Sequence, residues 1–309
     1  MNTSERVRGC LFGLAIGDAL GAAVEFRPPG TFPIVTDFRD GGPHFLRPGE
    51  WTDDTSMALA LADSLAERGW DPEDQTLRYC SWWRNGKYSV NGECFDIGTQ
   101  TAFALGKFSS GTNWKESGPK DDQRSGNGSI MRLAPVPMYY FHLYPNELEK
   151  IAEYSELSSM PTHASEQCLS ACRYLGVILA GLMAGESREL VLSSEWHGLQ
   201  KLREIKPLHP LIDEVANGSY RDTAPPYIRG SGHVVKSLEA ALWAFHEARD
   251  FEEAVLAAVN LGDDADTTGA ICGQLAGAFW GESEIPSHLL DNLAKKGMID
   301  NILEKLLSK

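Results

Sequence analysis

Strand-like alternation of apolar and polar residues is nearly absent from this chain, which leaves little material for a sheet and points to an all-α protein. Also missing is any block of basic residues. Lys and Arg total 28 against 43 Asp and Glu, a formal charge of −15, so attraction to a nucleic-acid backbone is disfavoured. An acidic surface does not forbid a phosphate-bearing small ligand, because metals, backbone amides and single Arg or His residues can hold one locally. Cysteines are few, and Cys10, Cys80, Cys94, Cys168, Cys172 and Cys272 lack the paired spacing of a zinc site. Cys168 and Cys172 lie one helical turn apart, and a buried, reduced pair is expected. Residues 1–6 show no basic stretch leading into a signal-length apolar core, and no uninterrupted apolar run reaches bilayer length. A soluble, cytoplasmic protein with neither membrane nor nucleic acid as partner is expected. No repeat, low-complexity tract or linker divides the 309 residues, and 42% hydrophobic content supports one core, with residues 1–309 as a single domain.

What the chain does have is two carboxylate-threonine clusters, Thr52-Asp53-Asp54-Thr55 and Asp263-Asp264-Ala265-Asp266-Thr267-Thr268. Each opens an apolar, helix-like run. A carboxylate at one helix start is ordinary, since the macrodipole favours it and Thr or Asp caps first-turn amides. If the two starts meet, however, Asp53, Asp54, Asp264 and Asp266 bring four negative charges together, which two divalent cations would balance. Oxygen ligands without Cys or paired His select magnesium, manganese or calcium over zinc or copper. Spacing alone leaves open the alternative of two separate, solvated, capped helix starts. Thr52 and Thr267 are likewise open to two roles, hydroxyl ligand or cap.

Residues 5–22 read as a helix with Gly13, Ala15, Gly17, Ala19 and Gly21 among larger apolar residues. Each glycine weakens an isolated helix by about 1 kcal/mol, so their concentration signals close helix packing or close approach of a ligand. Helical periodicity returns at 54–68, 73–84, 97–108 and 144–156, and most strongly at 164–185, a central buried helix. Further helices are expected at 187–204, 232–248, 251–260, 266–280 and 286–307. The segment from Arg27 to Trp51 is rich in Pro and Gly and reads as a functional loop, with a candidate short strand at Ile34-Val35-Thr36. Breakers also fill Ser117 to Ser129, a candidate site loop, and Lys206 to Gly232.

Single residues add to the clusters. Glu25 lies between Val24 and Phe26, where burial would raise its pKa or demand a metal or hydrogen-bond partner. Asp18 reads as structural, satisfying backbone amides near a turn. Asp96 precedes a helix and is a cap unless it lies near the metal cluster, where it becomes a candidate general base. Gly126-Asn127-Gly128-Ser129 offers bare amides ahead of helix signals, able to cradle a phosphate oxygen, although Asn-Gly is also a common turn dipeptide. His163 opens the central helix and could bond a ligand phosphate or be incidental.

In this order, the segments resemble the ADP-ribosylglycohydrolase family of metal-dependent hydrolases. The resemblance is carried by Gly13-x-x-x-Gly17-Asp18-Ala19-Leu20-Gly21 with Glu25, Thr52-Asp53-Asp54-Thr55, Phe95-Asp96-Ile97-Gly98, Gly126-Asn127-Gly128-Ser129-Ile130-Met131-Arg132, Thr162-His163 and Asp264-Ala265-Asp266-Thr267-Thr268-Gly269. It implies a compact orthogonal multi-helix bundle and two Mg2+ or Mn2+ ions held by Thr52, Asp53, Asp54, Asp264, Asp266 and Thr267. It places Glu25 beside the metals, Asp96 facing the substrate ribose, and Gly126, Asn127, Gly128, Ser129 and His163 around the ADP portion. The implied reaction removes ADP-ribose from a modified protein side chain, arginine-linked first, with Asp96 and Glu25 as competing acid-base residues. The modified protein could be the target of an ADP-ribosyltransferase toxin. Serine-linked or O-acetyl-ADP-ribose is the alternative substrate, and a non-catalytic binding or immunity protein the alternative class. Two departures bear on the linkage. Gly262-Asp263-Asp264 stands where the family has Gly-Gly-Asp, and His233 stands where many arginine-specific relatives carry an aromatic residue.

Overall fold

The first helix, Thr3–Gly21, and the second acidic helix, Ala265–Trp280, run antiparallel with their backbones touching, and the other elements are arranged around that pair. Glycines at every fourth position make this possible. In the computed structural model, which describes residues 2–308, Gly9, Gly13 and Gly17 face Gly277, Gly273 and Gly269 in turn. A Cβ on Gly13 would stand 2.1 Å from the Gly273 carbonyl oxygen, and one on Gly277 1.8 Å from that of Gly9. Neither helix could carry side chains at these positions and keep its place. The expectation of close packing at the small residues is therefore met by a helix, and the row ends where Gly21 abuts the Asp266 amide.

The protein is all-α, with sixteen α-helices and only isolated bridges among the described residues. Buried side chains from Val7 to Leu306 form one continuous apolar core. The central helix, Glu166–Ala184, lies within it, close to the 164–185 read from periodicity. The first acidic helix, Asp53–Arg68, and the helix Val234–Glu247 also match their expected ranges within two residues.

Other expectations need correction. The stretch 187–204 is two helices, Arg188–Val191 and His197–Ile205, divided by a turn at Ser193 and Ser194. Similarly, 286–307 breaks into Ser287–Asn292 and Lys296–Leu307, because Lys295 adopts a left-handed φ of 50°. Ile34-Val35-Thr36 forms no strand: Val35 donates its N–H to Asn260 Oδ1 at 2.8 Å and accepts from Asn260 Nδ2 at 3.0 Å. One side-chain amide thus takes the place of a strand partner. Finally, Thr3–Val24 and Glu166–Ala184 are long and apolar enough to cross a membrane by composition, yet 94% of each apolar window is buried inside the protein. Their hydrophobicity is spent on helix–helix packing. All six cysteines are free, Cys168 and Cys172 included.

Candidate active site

The glycine contact carries Asp18 to the start of the first acidic helix. Asp18 Oδ1 accepts from the Thr52 amide at 2.8 Å and Thr52 Oγ1 at 2.9 Å, while Oδ2 accepts from the Thr55 amide at 3.0 Å and Thr55 Oγ1 at 2.6 Å. This carboxylate from another helix caps Asp53–Arg68, and Thr52 makes no cap bond with its own side chain. Freed from capping, Thr52 Oγ1 also lies 3.2 Å from Asp54 Oδ2 and 3.2 Å from Asp266 Oδ2. One hydroxyl proton cannot serve three carboxylates.

The two acidic helix starts therefore converge. Oxygens of Asp18, Asp54 and Asp266 lie within 4.8 Å of one another, as do those of Glu25, Asp264 and Asp266. Thr267 Oγ1 reaches Asp54 Oδ2 at 3.4 Å. Two separate, solvated starts are excluded by this geometry.

Crowding buried carboxylates disfavours their ionised forms. Burial first, and neighbouring negative charge second, hold Asp53, Asp54 and Asp266 well above the usual carboxylate range. Burial likewise raises Asp264, against the opposing hydrogen bond from Asn127. It raises Asp18 to about 6 in spite of four donors. Glu25 is pushed up to about 9 by burial and then by Asp96 and Asp264. Asp54 Oδ1, Asp266 Oδ1 and Glu25 Oε2 are buried without any hydrogen-bond donor. Among the described residues no Lys or Arg pairs with this cluster, and the only basic side chain in reach is His44, whose own protonation burial disfavours. Buried anionic oxygens lacking both donors and counter-charge fit a hard divalent cation, since an uncompensated cluster of this kind would otherwise be strongly unfavourable.

A cavity of about 280 Å³ opens over the cluster. Glu25, Asp53, Asp264, Asp266 and Thr267 line one part of it, with Asp96, Gly126, Asn127, Gly128 and His163 also on its wall. Thr52 and Asp54 are fully buried beneath. Such a cavity, acidic and cation-ready at its floor and glycine-walled at its side, suits a ligand that joins hydroxyls to phosphates.

The sequence profile of the ADP-ribosylglycohydrolases matches residues 1–309. The chain belongs to the ADP-ribosylglycohydrolase family. It is 40% identical to the ADP-ribosylarginine hydrolase Tri1 of Serratia proteamaculans (strain 568), over 98% of this chain and 79% of that protein. Identity is 39% to the Tri1 of Pseudomonas putida (strain GB-1), over 99% and 78% of the two chains. The ADP-ribosyl-[dinitrogen reductase] glycohydrolase of Rhodospirillum rubrum is 30% identical, over 94% of this chain and 91% of its own. A solved ADP-ribosylglycohydrolase-related protein complex is similar in fold, with a TM-score of 0.84 at 38% identity, covering 99% of this chain and 98% of that one.

In this glycohydrolase Asp96 is no helix cap. The following helix, Thr99–Ser109, starts from Gly98, and Asp96 holds a left-handed φ of 57° with its carboxylate at the cavity wall. Burial, then Asp18 and Asp264, push it up to about 7. His44 was not singled out by sequence, although it is the one imidazole in the loop from Arg27 to Trp51. Its Nε2 stands 3.0 Å from Asp96 Oδ1 and 3.3 Å from Glu25 Oε2, without hydrogen-bond alignment, and its ring lies 5.3 Å from that of Phe95.

The glycine loop departs from the expected phosphate cradle in one respect. Residues 128–132 form a turn, and the next helix, Pro135–Tyr140, starts too late for its dipole to act on the loop. Asn127 Nδ2 donates to Asp264 Oδ2 at 2.6 Å and to Ser237 Oγ at 3.0 Å, joining the loop to the acidic cluster. Ser129 Oγ faces the central helix, accepting from Cys172 Sγ at 3.5 Å, and does not line the cavity. His163 packs edge-on against Gly126 and Gly128, so that a Cβ on Gly128 would stand 2.6 Å from its Cε1.

Both departures from the family pattern line other cavities, although the Asp263 charge still helps to raise the neighbouring Asp264 carboxyl. Asp263, at φ 53°, exchanges backbone hydrogen bonds with Phe26 and Arg27 and lines a separate cavity with Trp243. His233 caps Val234–Glu247 through Nδ1 and borders a third cavity beside Lys236 and Glu239.

Proposed function

We propose that this glycohydrolase hydrolyses the N-glycosidic bond between ADP-ribose and protein arginine side chains, with two divalent cations, magnesium or manganese, held by Thr52, Asp53, Asp54, Asp264, Asp266 and Thr267. The observation that carries this reading is the set of orphaned oxygens, Asp54 Oδ1, Asp266 Oδ1 and Glu25 Oε2, buried at the floor of the cavity that Gly126, Gly128 and His163 also line. The arginine linkage is supported by the two relatives at 40% and 39% identity, both ADP-ribosylarginine hydrolases. When bound, the cations supply Lewis acidity for ribose hydroxyls and for water.

The protein's own groups order the remaining chemistry. In this reading Asp264, tied to Asn127, and Asp96, on the cavity wall, flank the distal ribose. Hydrolysis forms a bond from water oxygen to the anomeric carbon and breaks the carbon–nitrogen bond, while the proton lost by water ends on the departing guanidine nitrogen. Asp96, whose carboxylate lines the cavity wall, is the group suited to carry that proton, and Glu25 to stand beside the metals. Carboxylates close by also stabilise positive charge developing on the sugar ring.

The test is mass spectrometry of products from matched arginine-linked and serine-linked ADP-ribosyl peptides, with magnesium or manganese present. Arginine-linked peptide should release ADP-ribose at least tenfold faster, and the Asp53→Ala, Asp54→Ala double variant should release none. Faster cleavage of the serine linkage, or turnover by the double variant, would overturn the reading.

A further inference from the structure

His163 is 3% exposed, and its two ring nitrogens meet different surroundings. Nδ1 lies 2.9 Å from Thr162 Oγ1. Nε2 has no hydrogen-bond partner in the protein and faces the glycine wall of the cavity, where a Cβ on Gly128 would stand 3.0 Å from it. Behind Thr162 lies Arg132, 1% exposed, whose Nη2 is 2.7 Å from Thr162 Oγ1. Arg132 Nη1 also donates to the Gly128 carbonyl oxygen, and the guanidinium sits 4.6 Å from the Tyr79 ring centroid. A buried cation is thus anchored on three sides and aimed, through one hydroxyl, at one imidazole nitrogen.

Counting protons decides the direction of that chain. A guanidinium has only donors, so Thr162 Oγ1 accepts from Arg132. The hydroxyl then has its single proton to give, and Nδ1 is the acceptor beside it. Burial and the Arg132 charge keep the ring neutral, with its pKa lowered to about 3. A neutral imidazole carries one N–H, and with Nδ1 accepting, that proton sits on Nε2. The reverse tautomer would leave the Thr162 proton without an acceptor and turn a lone pair toward the cavity.

We propose that Arg132, acting through the Thr162 hydroxyl, locks His163 as its Nε2–H tautomer and so presents a fixed, uncharged hydrogen-bond donor to a diphosphate oxygen in the cavity. The diphosphate rests on the function proposed above; the tautomer does not. Arg132 and Thr162 are positioning residues, since neither lines the cavity. A donor fixed in this way spares the ligand the choice between tautomers. It also avoids a charged histidine, which the acidic floor would otherwise compete to bind.

Long-range proton–nitrogen NMR of the full chain labelled with ¹⁵N-histidine reads the tautomer directly. Wild type should show the Nε2–H pattern for His163, and Thr162→Val should lose it or give a mixture. Titration with ADP-ribose in the presence of magnesium should show about tenfold weaker binding for Thr162→Val, equivalent to about 1.4 kcal/mol, with KM rising more than kcat falls. Thr162→Ser should restore both the spectrum and the affinity. An Nδ1–H pattern in wild type overturns the proposal even if the valine variant fails to fold. So does a folded Thr162→Val with the wild-type tautomer and affinity. An Nε2–H pattern that depends on Thr162, in a protein that binds no ADP-ribose, upholds the relay and defeats the diphosphate reading instead.

Discussion

Gly17 and Gly269 meet backbone to backbone: a Cβ on Gly17 would stand 2.0 Å from the Gly269 carbonyl oxygen, and one on Gly269 2.4 Å from that of Gly17. Asp18 follows the first of these glycines, and Asp266 lies one turn before the second. The separation of the two helices therefore sets the separation of carboxylates from opposite ends of the sequence. Gly17→Ala should cost about 1–3 kcal/mol through overpacking and weaken divalent-cation binding, because the added methyl pushes against main chain that cannot rotate away. Gly106→Ala is the control, a helical site with nothing within 4 Å of the added Cβ. It should be neutral or stabilising by up to about 1 kcal/mol. Denaturant unfolding and metal titration of the two variants check both expectations, and equal effects would sink the distance argument.

How much of this was legible beforehand follows from the range of each interaction. Asp53, Asp54, Asp264 and Asp266 stood out because helix starts are written locally, in a carboxylate followed by a periodic apolar run. Half of the glycine contact was also visible, in Gly13, Gly17 and Gly21. Its other half, Gly269, Gly273 and Gly277, was absorbed into an apolar helix, since nothing local says that two rows four residues apart will face each other. Asp18 shows the same limit. Its role is to cap the helix Asp53–Arg68 through Thr52, 34 positions further on. Asn260 could not be read as a strand substitute for Val35, 225 positions away, nor His44 as the neighbour of Glu25 and Asp96. The faces presented by Asp263 and His233 depend on tertiary packing, which sets them on cavities other than the acidic one.

Asp54→Asn should stabilise the metal-free protein. The wild-type side chain is fully buried, faces Asp18, Asp264, Asp96 and Glu25, and has one oxygen without a partner. A neutral isostere cannot ionise, so the gain grows with pH as the wild-type carboxyl is forced to ionise among its neighbours, reaching about 1–3 kcal/mol. The same change removes a ligand. Thermal unfolding should thus show a higher Tm than wild type in chelator and a smaller rise on adding manganese. A lower Tm in chelator would mean that Asp54 is already compensated by the protein.

Asp18→Asn tests the opposite case, a buried carboxylate whose oxygens are all satisfied by donors. Its four partners, two amides and two hydroxyls, suit two acceptor oxygens. An asparagine must turn its NH2 toward one donor pair, leaving buried donors unmet at about 1–3 kcal/mol each. The expected loss is about 2–4 kcal/mol in unfolding free energy, with the start of the first acidic helix losing amide protection first. Hydrogen exchange at Thr52 and Thr55 reads this locally, and unchanged protection there would remove Asp18 from the capping role.

The metal-free protein should become more stable on acidification between pH 9 and pH 6.5, the reverse of ordinary acid sensitivity. Asp18, Asp96 and Glu25 titrate near 6, 7 and 9 in the fold, against 3.8, 3.8 and 4.5 when unperturbed. The folded state therefore binds more protons than the unfolded chain across this window, and stability falls as pH rises through the folded values. His163 works the other way. Its pKa drops from 6.5 to about 3, so its contribution is complete above 6.5 and is lost progressively below. Above pH 6.5 that opposing effect is silent; the carboxylates set the slope through neutral pH, and toward pH 9 the six thiols, held by burial above their ordinary 9.0, add to it in the same direction. Saturating magnesium or manganese should flatten the slope, raising Tm most at high pH, because cation binding favours the ionised oxygens that protons otherwise mask. Tm measured in chelator and in metal across the window provides the check. A Tm in chelator that falls on acidification from pH 9 to 6.5 would mean that the carboxylates beneath the cavity are compensated by groups within the protein, and the case for a cation there would lose its physical basis.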